Sequence, residues 1–108
     1  MNGYNKCING EIWWCLIGKD IEIGKTKPVL VLKSFNTKMF FGIPLTSSDS
    51  HNKKSLGKYH SPIRVNNINS FVTLGQLRLF DTKRLLRKLS KIDKDSLSKI
   101  TDSLFNVI

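Results

Sequence analysis

The chain has 108 residues, enough for one compact domain spanning 1–108 and too few for two. Its 40% hydrophobic content, with only 3 prolines and 7 glycines, is that of a globular chain and excludes a disordered one. The 18 Lys and Arg against 8 Asp and Glu leave a formal charge of +10, which points to a polyanionic partner, nucleic acid or an acidic protein segment. No apolar run approaches the length of a spanning helix, so no membrane role is expected.

The opening "MNGYNKCINGE" has no apolar core of a secretion signal, and Cys7 and Cys15 lack the spacing of a metal or redox pair. A cytoplasmic protein with reduced thiols is the expectation, with Cys15 a small core residue. Gly10-Glu11 opens "IWWCLI", aromatic and β-branched, which predicts a strand ending at Gly18. Adjacent strand residues face opposite ways, so one of Trp13 and Trp14 should leave the main core, and a dimer partner is one way to cover it. Residues 18–26, "GKDIEIGKT", predict a loop over one face of a barrel or sheet. "PVLVL" does not alternate and predicts a strand buried on both faces, with Pro28 at its start or edge. "KMFFGIPLT", residues 38–46, predicts a third strand, with a bulge at Gly42 and an edge at Pro44.

"SSDSHNKKSL" predicts a loop over 47–56. "KYHSPIRV" and "SFVTLGQLRLF" predict two strands joined by "NNIN". "DTKRLLRKLSKI" reads as a helical turn and a short strand. "DKDSLSKITDSLFNVI" predicts a terminal amphipathic helix capped by Asp93, with Leu97, Ile100, Leu104, Phe105 and Ile108 on its apolar face. About five short strands and a helix predict a mainly β fold, a small SH3-like β-barrel closed by a C-terminal helix.

The pattern carries little familiar chemistry. His51 and His60 have no cysteine or carboxylate cluster beside them, and no nucleophile elbow or Gly-rich phosphate loop is present. No metal and no cofactor are expected. The segment "QLRLFDTKRLLRKLSK" carries Arg78, Lys83, Arg84, Arg87, Lys88 and Lys91 against one Asp81. Any one of these is most simply a solvated charge, but their density favours polyanion binding. Exposed aromatics of "IWW" or "MFF" could stack on unpaired bases, although core packing accounts for most of them.

Four blocks in order, "GEIWW", "KPVLVL", "GIPLTSS" and "GQLRLFDTKRLLRKLSKIDKDSLSKI", resemble the PemK/MazF toxins of bacterial type II toxin–antitoxin systems, over Gly10 to about Leu104. The resemblance implies an SH3-like barrel with a C-terminal helix, a homodimer, and a metal-independent, sequence-specific endoribonuclease (an mRNA interferase) that cuts single-stranded mRNA. It also implies a partner antitoxin whose acidic tail covers the active groove. The family's arginine before "PVLV" is replaced by Lys27, and its hydroxyl pair is kept as Thr46 and Ser47. Its glutamine and arginine correspond to Gln76 and Arg78. Lys27 and Thr46 are thereby the expected catalytic residues, and Ser47, Gln76, Arg78, Lys83 and Arg84 the expected RNA contacts. The family's loop before "PVLV" is shortened here to "GKDIEIGKT".

Cleavage without a metal requires the 2′-OH to lose a proton, the 5′-oxygen to gain one, and the phosphorane's charge to be stabilised. Lys27 offers a point charge on a flexible stem where arginine would offer a bidentate fork. Thr46 offers a hydroxyl for a phosphate oxygen or the 2′-OH. No residue is marked as the general base: Glu22 of the loop could serve, but a loop carboxylate is more often simply solvated. Two other readings stay open: a relative that binds RNA or an antitoxin peptide without cutting, and a gyrase poison on the same barrel. The ending "LFNVI" lacks the tryptophan of the latter family.

Overall fold

The structure, a computed structural model, describes residues 6–18, 25–35, 38–47 and 60–106. Among the described residues seven strands precede one α-helix: β1 Glu11–Leu16, β2 Thr26–Ser34, β3 Met39–Ser47, β4 His60–Val65, β5 Ile68–Thr73, β6 Arg78–Asp81 and β7 Leu85–Lys91, then α1 Lys94–Phe105. They form one antiparallel sheet in the order β4-β5-β3-β2-β1-β7, with β6 also paired to β3. The sheet curls into a barrel-like shell, as expected. The expected single strand "SFVTLGQLRLF" is two, because a 3₁₀ turn at Leu74–Gln76 breaks it.

β2 lies between β1 and β3 and is buried on both faces. Leu30 looks into the main core with Ile12, Ile43, Leu45, Val65, Val72 and Leu74, closed by Ile100 and Leu104 of α1. Val29 and Val31 look the other way, into a second cluster with Cys7, Cys15, Phe40, Phe80 and Leu85. That is why "PVLVL" does not alternate: each face has its own apolar partner. Trp13 packs against the second cluster of the chain itself, and Trp14, its neighbour on the opposite face, is half-buried.

The two strand prolines sit differently from expectation. The Ile17 amide donates to the Lys25 carbonyl at 2.9 Å, and bonded pairs alternate along an antiparallel ladder. Trp14↔Pro28 is therefore a non-bonded pair, and the Pro28 nitrogen faces β3. The ladder between β2 and β3 begins one residue later, at Val29↔Pro44. Pro28 is thus the third residue of β2, and its missing N–H marks where β2 and β3 part. Pro44 is in a central strand, not at an edge. By the same alternation its nitrogen faces away from β2. There it falls between the ladder with β6, which ends at Gly42, and the ladder with β5, which starts at Leu45.

The bulge expected at Gly42 lies across from it: the register slips between Val31 and Lys33, so Leu32 is the extra residue. Gly42 serves close packing instead. A Cβ there would lie 2.7 Å from Val29 Cγ1, 2.8 Å from Phe40 Cε2 and 2.9 Å from Phe80 Cδ2. Phe40 and Phe80 stack with centroids 5.3 Å apart and planes at 13°. Gly42→Ala should cost about 1–3 kcal/mol as these groups are forced apart, read as a lower thermal unfolding midpoint.

The β4–β5 connection is tighter than the four residues expected. Asn66 (φ 50°) and Asn67 (φ 67°) alone form it, and Ile68 and Asn69 belong to β5. Asparagine tolerates the left-handed region that a two-residue hairpin with two positive φ values demands. At the C-terminus, Asp93 accepts from the Ser96 amide at 2.7 Å, as the sequence predicted. Ile100 and Leu104 are buried and Leu97 half-buried, but Phe105 is 71% exposed and off the buried face. Ile108 lies outside the described residues. None of the described helices is long and apolar enough to cross a membrane.

Candidate functional site

Lys27 and Thr46 flank the point where β2 and β3 part. Lys27 pairs with Cys15 of β1, and Thr46 with Phe71 of β5. Counting two residues on from Val29↔Pro44 levels Lys27 with Thr46. Side chains alternate along a strand, so both belong to the face that carries Val29 and Pro44. Both residues are half-buried.

The same face continues onto β6. Arg78 pairs with Gly42 and Phe80 with Phe40, and the Arg78 guanidinium carbon sits 4.5 Å from the centroid of the Phe80 ring. A pocket of about 290 Å³ opens here, lined by Ile17, Pro44, Gln76, Leu77 and Arg78. Its walls combine apolar surface with an amide and a cation, groups that can hold a base and a phosphate. Gln76 is exposed at the end of the 3₁₀ turn, beside Arg78. Ser47 ends β3, with its main chain opposite Ser70.

Lys83 and Arg84 sit on a second 3₁₀ turn, Thr82–Arg84, capped by Asp81, which accepts from the Lys83 amide at 2.8 Å. Lys83 is exposed and Arg84 half-buried. Arg84 donates to the carbonyls of Leu16 and Gly18, and Arg78 to that of Ile17. Both guanidiniums therefore engage the end of β1, a role their place in a basic run did not reveal. Glu22 and His51 lie outside the described residues. Among the described residues no cluster of three His, Cys, Asp or Glu could hold a metal ion. The two cysteines are free and buried; burial pushes the Cys15 thiol up to about 12, and Cys7 also rises through burial. Neither is a thiolate nucleophile near neutral pH.

Glu11 is the buried carboxylate that sequence reading passed over, 5% exposed. Its Oε1 accepts from the Ile8 amide at 2.8 Å and from Trp13 Nε1 at 3.1 Å, and its Oε2 lies 3.0 Å from Lys88 Nζ. The signal for it was weak, a lone Glu before an apolar run. Burial pushes the carboxyl up, but the bonds from Trp13, Lys88 and Ile8 outweigh it and hold the group below the usual glutamate range. A lowered carboxylate contributes stability above the unfolded value and loses it as pH falls through the folded one. Glu11→Gln should therefore cost about 1–3 kcal/mol at pH 7. The gap from the unmodified chain should close below the usual glutamate range, read as urea midpoints across pH.

The family of PemK-like, MazF-like toxins of type II toxin–antitoxin systems matches residues 8–108. Among solved structures, a Mycobacterium tuberculosis toxin, MazF-mt6, superposes with a TM-score of 0.68 at 14% identity, covering 89% of this chain and 93% of that one. A mycobacterial endoribonuclease in complex with its cognate antitoxin gives 0.69 at 17% identity, covering 94% and 93%. The MazE–MazF complex of Deinococcus radiodurans gives 0.64 at 16% identity, covering 91% and 90%. No match was found among curated proteins.

Proposed function

This chain belongs to the PemK-like, MazF-like toxins of type II toxin–antitoxin systems, and on that premise we propose that it is a sequence-specific endoribonuclease that cuts single-stranded mRNA. The observation that carries this reading is the common face of Lys27 and Thr46 beside a pocket walled by Gln76 and Arg78. The reaction that suits these groups is transesterification. The 2′-oxygen attacks phosphorus, the 2′-proton leaves to a base, the P–O5′ bond breaks, and the 5′-oxygen takes up a proton.

Lys27 stabilises the charge that grows on the non-bridging oxygens and is the proton donor for the leaving oxygen. Thr46 bonds a phosphate oxygen or the 2′-OH. Arg78, held over Phe80, binds a neighbouring phosphate, while Gln76 reads a base edge and Lys83 adds charge at the rim. Ser47, the last residue of β3, is a further candidate for an RNA contact. The formal charge of +10 supports both an RNA substrate and an antitoxin with an acidic tail. A homodimer in the cytoplasm completes the proposal.

Incubation of the purified chain with end-labelled single-stranded RNA in EDTA tests the reading. Discrete cuts with 2′,3′-cyclic phosphate ends are expected. Intact RNA across a broad set of sequences would overturn it. Tight RNA binding without cutting, by both the unmodified chain and Lys27→Arg, would favour the binding-only reading that the lysine replacement motivates.

A further inference from the structure

Three successive carbonyls at the end of β1 are taken by two arginines from far along the chain. Arg84 Nη1 donates to the Leu16 carbonyl at 3.3 Å and to the Gly18 carbonyl at 2.7 Å. Arg78 Nη2 donates to the Ile17 carbonyl at 2.9 Å. Successive carbonyls of an extended chain point to opposite edges, so Arg84 holds one edge of this strand end and Arg78 the other. The Ile17 amide closes onto the Lys25 carbonyl at 2.9 Å, and Leu16 pairs with Thr26. The chain thus leaves and rejoins the sheet through one closed stem, two residues before Lys27.

The arginines differ in what else they reach. Arg78 is exposed, lies over Phe80 and walls the pocket, so it keeps a share in ligand binding. Arg84 is half-buried, rises from a turn in which Asp81 caps the Lys83 amide, and spans two acceptors with one nitrogen. With Nη1 already committed to two main-chain oxygens, Arg84 serves as a clamp on the strand end, where a phosphate contact would call on the paired donors of the guanidinium fork.

Resting on the ribonuclease reading above, we propose that Arg84 is a positioning residue for RNA cleavage and not an RNA ligand: its guanidinium sets the stem between β1 and β2, and through it the placement of Lys27. Reaction geometry is sensitive at this level, since a shift of about 1 Å can cost about 100-fold in rate.

Arg84→Gln and Arg84→Lys, compared with the unmodified chain well below their unfolding midpoints, test it. For Arg84→Gln, kcat at saturating RNA should fall about 10- to 100-fold with KM unchanged. Affinity for an uncleavable 2′-O-methyl copy of the RNA should keep its salt dependence, and amide exchange at Ile17 should quicken. Arg84→Lys, which retains a donor but not the fork, should recover part of kcat. An unchanged kcat overturns the proposal. So does a salt slope lowered by about 0.7, the mark of one lost single-strand phosphate contact. If the unmodified chain leaves RNA intact, the ribonuclease reading itself falls, and exchange at Ile17 still reports on the clamp: an unchanged rate in Arg84→Gln would remove that as well.

Discussion

Lys27→Ala should lower the rate of RNA cleavage by about two to three orders of magnitude, the usual cost of removing one preorganised group from a developing negative charge. The loss should fall on kcat more than on KM, because the charge that Lys27 meets is largest in the transition state. Lys27→Arg should retain activity or raise it, since a guanidinium offers two parallel N–H donors where the ammonium offers a point charge. Single-turnover cleavage of a labelled RNA by the three chains provides the comparison. Equal rates for all three would take Lys27 out of the chemistry.

Phe80→Ala should be the most damaging single truncation for the fold near the site, at about 3–5 kcal/mol. Phe80 is 1% exposed, stacks on Phe40 and fills the space beside Gly42 that a methyl group would overrun. Its ring is also the platform under the Arg78 guanidinium. Such a loss is a large share of the total stability of about 5–15 kcal/mol for a domain. The thermal midpoint should fall by more than about 10 °C. At temperatures where the variant stays folded, RNA affinity should also weaken as Arg78 loses its support. A midpoint within a few degrees of the unmodified chain would show that the Phe40–Phe80 stack is not a keystone of the second cluster.

The elements read most clearly from the sequence were those with a local signal. Asp93 as a cap, the non-alternating "PVLVL" and the helical turn before β7 each follow from neighbours within a few residues. What could not be read depends on distant partners. Pro28 and Pro44 look like edge residues until the ladders around β3 are known. Phe105 fits a helical stripe by spacing, yet the core beneath α1 takes Leu97, Ile100 and Leu104 and leaves Phe105 exposed. The candidate site was marked only by the family blocks, and the lysine before the proline acquires a physical setting from the register: Pro28 ends a ladder, and Lys27 stands at the opening. Arg78 and Arg84 looked alike in the basic run, because nothing local marks a guanidinium whose acceptors lie 61 to 68 positions away. Glu11 was hidden for the same reason, its partner Lys88 coming from the far end of the chain.

A double-mutant cycle on cleavage with Lys27→Ala, Thr46→Ala and the pair tests most directly whether the two groups grip one phosphodiester. Residues that act as a unit give strongly non-additive losses, so the double variant should be about as slow as the slower single variant. A double variant slowed by the product of the two single losses, or two single variants as fast as the unmodified chain, would contradict a shared site.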